Sequence, residues 1–212
     1  MPGSLDGPPA APRPALERAH EAIATAVRDP IAQDGYEFDA FASYSRDPDD
    51  ELVAETKRFL EGLHALRVPG VSYLAPLRIW VDKVSLVIRT ARRNDRGEVH
   101  ALTPDLRQVL DDELARCRSL LLFCSKRATR SEWVAHEIDW WLANRPGPIW
   151  LVVTEGEDPA GRPQDVFPPG IVAHGLQGFW YDFRGFRDRK LRRGYEQARV
   201  NLAADLYGLE KE

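Results

Sequence analysis

Apolar and polar positions along this chain change period in blocks. Tyr36 to Tyr44 (YEFDAFASY) is aromatic-rich and apolar at alternate positions, which predicts a first strand. Asp49 to Leu66 switches to helical spacing, with Leu52, Thr56, Phe59, Leu63 and Leu66 on one face. Leu77 to Val81 (LRIWV) predicts a second strand. Thr103 reads as the cap of a helix with Pro104 at its first position, and Leu106, Val109, Leu110, Leu114 and Cys117 form its face. Ser119 to Cys124 (SLLLFC) and Ile149 to Val153 (IWLVV) are short unbroken apolar runs, the pattern of strands buried on both faces. Between them Ser131 caps a helix (EWVAHEIDWWLANR) that Pro146 follows. Residues 155–175 read as a Pro/Gly-rich loop with a short helical turn. Gly178 to Phe183 predicts a last strand, and Leu191, Tyr195, Ala198, Leu202 and Leu206 mark a C-terminal amphipathic helix.

Strands alternating with helices imply an α/β fold with a parallel sheet covered on both faces. For five strands the expected order is the flavodoxin-like 2-1-3-4-5. Asp34-Gly35 is a turn signal and sets the start of one main domain, 35–209. Residues 1–34 read as a flexible Pro/Ala-rich leader plus a short helix over 15–28, ended by Asp29-Pro30.

Composition narrows the function classes. The net charge of −4 argues against a general nucleic-acid coat or a polybasic membrane binder, so neither is expected as a partner. No apolar run reaches the ~20 residues of a membrane span, and no signal peptide is recognisable. The only cysteines, Cys117 and Cys124, lie in apolar patterns; a disulfide framework is excluded and a reducing cytoplasm is the expected compartment. Both read as buried hydrophobes. The 24 Arg against 5 Lys, with abundant Ala, suggest a GC-rich bacterial genome.

Several chemistries common to such sheets lack their motifs. There is no P-loop G-x-x-x-x-G-K-[ST], no G-x-G-x-x-G after the first strand, and no G-x-S-x-G elbow. Ser125 stands where a phosphoacceptor domain would place an aspartate. The five histidines form no metal-ligand spacing, so no metal and no resident cofactor are expected.

In a 2-1-3-4-5 sheet, ligands bind where the loops leaving strands 1 and 3 diverge. Those segments are Ser43-Tyr44-Ser45-Arg46-Asp47 and Ser125 to Ser131, which should face each other across a cleft. On the following helix Val134, Ile138, Trp141 and Leu142 form the apolar stripe. Trp133, Glu137 and Trp140 lie on another, a plausible ligand wall. From spacing alone, a solvated helix-face carboxylate and a core aromatic remain the plainer description of Glu137 and Trp133.

These residues together resemble the TIR (Toll/interleukin receptor) domain family, bacterial NAD-cleaving type. Phe38 to Asp47 (FDAFASYSRD) is similar to the family's opening D-x-F-x-S-Y box. Leu77 to Val81 with Asp82 resembles its second box, which precedes the variable BB loop. Leu120 to Ser125, then Ser131-Glu132-Trp133-Val134-Ala135-His136-Glu137-Ile138, resembles the S-x-W-x-x-x-E signature. The resemblance spans residues 36–208.

The resemblance implies cleavage of the nicotinamide–ribose bond of NAD⁺, releasing nicotinamide and ADP-ribose or a cyclic isomer, in defence signalling against phage. It implies Glu137 as the catalytic residue and Trp133 as a wall at the nicotinamide end. Tyr44, Ser45 and Arg46 would contact the dinucleotide, and the BB-loop residues Ser85 and Leu86 would lie near the base. It further implies self-association through TIR domains and a defence effector or sensor protein as partner. Two features depart from the family pattern. The BB region, 83–102, is long and carries a basic insert, Arg89 to His100, and Ser45 stands where some relatives have a second arginine.

The chemistry is coherent with the residues. Nicotinamide leaves NAD⁺ as a neutral group, so the paired acid of ordinary glycosidases is not required. One carboxylate can hold the ribose hydroxyls and stabilise the growing positive charge. Arg46 can bind the pyrophosphate. The rival readings are a non-catalytic TIR interaction module, which has no use for Glu137, and a nucleoside deoxyribosyltransferase-like enzyme, which the Ser-Tyr-Ser-Arg and Ser-x-Trp motifs disfavour. Arg92, Arg93 and Arg96 of the insert, and the seven basic residues between Arg184 and Arg199, read as solvated.

Overall fold

Strands β1 (Ala40–Ser43), β2 (Ile79–Val81), β3 (Leu120–Cys124), β4 (Ile149–Val153) and β5 (Tyr181–Asp182) form one all-parallel sheet in the order β2-β1-β3-β4-β5. This is a computed structural model; it describes residues 35–65, 75–81, 104–144 and 147–209. The leader, its helix over 15–28, the Thr103 cap, Ser85, Leu86 and the Arg89 to His100 insert lie outside the described residues.

The helices are α1 (Arg46–Gly62), α2 (Pro104–Ala115), α3 (Glu132–Asn144), α4 (Pro169–Ala173) and α5 (Arg192–Leu206). Strand parity sorts the core between them, because successive side chains point to opposite faces. Ala40, Ala42, Leu121, Phe123 and Val152 pack with Leu52, Val53 and Leu60 of α1 and Tyr195, Leu202 and Leu206 of α5. Phe41, Leu120, Leu122, Cys124, Leu151 and Val153 pack with Leu110 and Leu114 of α2, Val134, Ile138 and Trp141 of α3, and Ile171 of α4. Helices on both faces are what parallel strands joined by crossovers require. Among the described residues no helix is long and apolar enough to cross a membrane.

β3 and β4 match the predicted runs to within a residue, whereas β1, β2 and β5 are shorter than the apolar pattern predicts. β1 starts at Ala40 rather than Tyr36, because the amides of Glu37 and Phe38 both donate to the Arg116 carbonyl after α2 (2.9 and 3.2 Å) instead of joining the ladder. α1 starts at Arg46, ahead of the expected Asp49, although Asp47 departs from helical dihedrals (φ −100°, ψ 121°). It ends at Gly62, and Leu63–Ala65 continue as a 3-10 turn. Ser131 caps α3 as expected, its hydroxyl accepting from the Val134 amide at 3.3 Å. Cys117 and Cys124 are free and fully buried, and burial pushes the Cys124 thiol far up from its ordinary value.

The expectation of solvated basic residues after β5 holds for Arg189, Lys190, Arg192 and Arg193, which are exposed, but not for Arg184 and Arg199, which are half-buried. Arg184 donates to both oxygens of Asp182 (2.9 and 2.7 Å) and to the Gly156 carbonyl (2.9 Å). Arg199 lies over the rings of Phe59 and Tyr195, and Arg192 over Tyr195. Gly185 lets this turn close on α5: a Cβ there would meet the Leu191 carbonyl oxygen at 2.3 Å.

Candidate active site

The same parity that sorts the core places two polar groups at the C-terminal edge of the sheet, one on each face. Ser43 ends β1 and shares the face of Phe41, toward α3. There its hydroxyl donates to Oε2 of Glu137, which is 5% exposed. Ser43 itself is fully buried. A short side chain at the end of β1 thus meets a carboxylate from the first half of α3.

Glu137 lies off the expected apolar stripe, and the structure buries it rather than leaving it on a solvated face, the plainer reading from spacing alone. It is buried between Val134, Ile138 and Trp141, all of them fully buried. Trp133 and Trp140 are half-buried and pack against the same core, as does Leu142. So α3 buries a face wider than one stripe, since it lies against the sheet between α2 and α4. His136, next to Glu137, faces α2 and bonds Asp111 through Nε2 (2.8 Å). A buried carboxylate is costly unless hydrogen-bonded, and the Ser43 hydroxyl offsets part of that cost.

The other expected residues divide. Ser45 caps the start of α1 and Arg46 is its first residue; both are half-buried. Arg46 pairs with no carboxylate among the described residues. The β1–α1 loop does face the segment after β3, because Arg127 and Asp47 form an ion pair between them at 2.9 Å. Tyr44 follows Ser43 and packs with the core on the other face of the sheet. Its ring packs edge-on against Phe123 on the α1 side of the sheet (centroids 6.4 Å apart). Ser85 and Leu86 are outside the described residues.

On the opposite face sits a second group that the sequence reasoning missed. Asp49 of α1 is fully buried, beside the hydroxyls of Ser125 and Thr154, the residues that follow β3 and β4. Arg187 reaches its Oδ1 from the segment after β5, at 3.4 and 3.5 Å. Among the described residues Oδ2 has no hydrogen-bond partner. Burial pushes the Asp49 carboxyl up from its ordinary value, and nearby Glu155 adds to the rise. The Ser125 and Thr154 hydroxyls and the Arg187 charge oppose it without cancelling it. Ser43 could have been found from its parity with Phe41. Asp49 and Arg187 could not, because nothing local marks either one. Among the described residues no group of His, Cys, Asp and Glu side chains could hold a metal ion.

A doubly wound parallel sheet, with a hydrogen-bonded glutamate buried at the switch point between β1 and β3, defines the class of α/β domains that bind ligands at that edge. Within that class, residues 71–158 match the family model described as Thoeris protein ThsB, TIR-like domain. The match runs from the approach to β2 to just beyond β4 and includes Trp133 and Glu137. That segment of the chain is thus similar to a TIR-like domain. No curated protein matches the chain significantly.

Proposed function

We propose that this TIR-like domain cleaves the nicotinamide–ribose bond of NAD⁺, with Glu137 as the catalytic residue, and serves in bacterial defence against phage. One observation carries the reading: a glutamate held by Ser43 at the one edge of this fold where ligands bind. A buried carboxylate at such a place is poorly explained as a fold-stabilising feature, since an apolar residue would pack there at lower cost.

In the proposed reaction the bond between the pyridinium nitrogen and C1′ of ribose breaks heterolytically. The electron pair goes to the ring, which leaves as neutral nicotinamide. C1′ gains oxocarbenium character, and the Glu137 carboxylate stabilises that charge while binding the ribose hydroxyls. Water then adds to C1′ and loses a proton, giving ADP-ribose. Alternatively a nitrogen of the same molecule's adenine adds, giving a cyclic isomer. Trp133, one turn before Glu137, walls the nicotinamide end, and Arg46 neutralises pyrophosphate charge. No resident cofactor is needed, because NAD⁺ is consumed.

The test is Glu137→Gln, close in shape to the native side chain and able to keep a hydrogen bond to Ser43. Purified wild-type protein incubated with NAD⁺ should release nicotinamide, and the variant should lose at least ~100-fold in turnover while keeping its circular dichroism spectrum. A folded Glu137→Gln protein with wild-type turnover would sink the assignment. A folded wild-type protein inert toward NAD⁺ would leave the interaction-module reading in its place.

A further inference from the structure

The two polar groups at the sheet edge lie on opposite faces, yet one segment joins them. The β1–α1 loop leaves Ser43, carries Ser45, Arg46 and Asp47, and turns into α1 at Pro48 and Asp49. Its far end is gripped from outside the loop. Arg187 donates from Nη2 to the Pro48 carbonyl and holds Oδ1 of Asp49 with both terminal nitrogens. Its guanidinium also lies over the Phe186 ring (5.8 Å). The segment bearing Arg187 is itself anchored, through Arg184 on Asp182 and Gly156 and through the close approach of Gly185 to Leu191.

We propose that Arg187 is a positioning residue: its grip on Pro48 and Asp49 sets the β1–α1 loop in the posture that presents Ser45 and Arg46 to the dinucleotide phosphates. The inference rests on the NAD⁺ reading of the site. The Ser45 hydroxyl reaches only the Asp47 carbonyl, at 3.5 Å, and the Asp47–Arg127 ion pair is largely exposed at both ends, which makes it weak. The Arg187 contact differs because one partner, Asp49, is fully buried. Once Arg187 is removed, that carboxylate faces the ends of β3 and β4 with Glu155 nearby and no cation to balance it. The start of α1 must then move or take up a proton. The planar fork also spans two acceptors at once, which a single ammonium does less well. Arg187 touches no atom of the proposed substrate; it acts through the loop.

The experiment compares wild type, Arg187→Met and Arg187→Lys by two measurements. Met keeps an aliphatic stem against Phe186 but removes every donor. The first is hydrogen–deuterium exchange of residues 44–50, which needs no substrate. Arg187→Met should exchange faster there while β3 and β4 keep wild-type protection, and Arg187→Lys should fall between. The second is steady-state kinetics on NAD⁺. Arg187→Met should raise KM about tenfold with kcat largely retained, and Lys should recover part of the loss. A general folding defect would instead lower the active fraction, reducing apparent kcat at constant KM. Unchanged exchange over 44–50 overturns the proposal, as does faster exchange with KM unaltered. A wild-type protein inert toward NAD⁺ overturns the reading of the site instead, and the exchange comparison alone then decides whether Arg187 holds the loop.

Discussion

At the scale of single residues, the hydrogen-bonded pair of Ser43 and Glu137 stands at the centre of the proposed site. Ser43→Ala deletes a hydroxyl that donates to Oε2 and leaves the rest of β1 as it is. A hydrogen bond to a charged group is worth roughly 1.5–3 kcal/mol, so kcat on NAD⁺ should fall about 10- to 150-fold, more than KM changes. Because that hydroxyl offsets the cost of burying Glu137, Ser43→Ala should also lower stability by about 1–3 kcal/mol, which a thermal melt would check. Equal kcat in the two proteins would mean that Glu137 is oriented by other contacts. Arg46 should fail differently. Its loss removes binding rather than chemistry, so Arg46→Ala should raise KM, with an effect on kcat/KM of about 10- to 150-fold, and Arg46→Lys should recover only part. Unchanged kcat/KM in Arg46→Ala would place the phosphates elsewhere. Glu137 shows how far a sequence can be read at this scale. Its identity and its place one turn after Trp133 are visible in the chain, but its burial is not. The hydroxyl that makes that burial tolerable lies 94 residues away, and no helical period encodes it.

At the scale of elements, α1 starts on a buried charge. The Asp49 carboxyl is raised by burial, with Glu155 adding and Ser125, Thr154 and Arg187 opposing. A raised carboxyl pKa means that the folded protein binds the proton more tightly than the unfolded chain does. Its contribution is therefore most favourable in acid. It declines as pH climbs from the ordinary Asp value of 3.8 toward the raised folded value, and is flat above that. Asp49→Asn should remove this slope. Its Tm at pH 7 should match or exceed that of wild type, while the gap between the two proteins narrows or reverses toward pH 4. Thermal melts across that range measure it, and a Tm at pH 7 well below wild type would show that the ionised Asp49–Arg187 pair is a net stabiliser instead. The sequence marked this helix through Leu52, Thr56 and Phe59. It placed the start three residues late because the loop and the helix merge across Asp47, where the backbone leaves helical dihedrals before the chain settles.

At the scale of the whole molecule, the expectation to test is a site shared between two copies. The resemblance implies self-association and a site that draws on the BB region, where Ser85 and Leu86 fall. If a neighbouring protomer supplies that segment, specific activity on NAD⁺ should rise several-fold with protein concentration or on enforced clustering. A deletion within the 89–100 insert should change that dependence. Constant specific activity from a sample shown to be monomeric by light scattering would exclude the shared site.

The order of the sheet was legible in the chain because each strand and helix carries its own hydrophobic period. Five apolar runs separated by amphipathic helices leave few topologies once crossovers must be right-handed and both faces covered. The runs SLLLFC and IWLVV locate β3 and β4 almost to the residue because a strand buried on both faces has no polar positions to blur its ends. The Ser131 cap and the packing role of Trp141 follow from equally local signals. What the chain could not reveal was which polar residues go inside. Glu137, Asp49, Ser125 and Thr154 are buried at the C-terminal edge of the sheet, although each would pass for a surface residue in its own segment. Arg187 lies in a stretch of basic residues that reads as solvated, and its partner Asp49 is 138 positions earlier. Burial of charge is decided by what stands opposite in space, and only the parallel stacking of strand ends brings those partners within reach. Local periodicity therefore determined the scaffold, and the tertiary fold alone selected the residues that equip its edge.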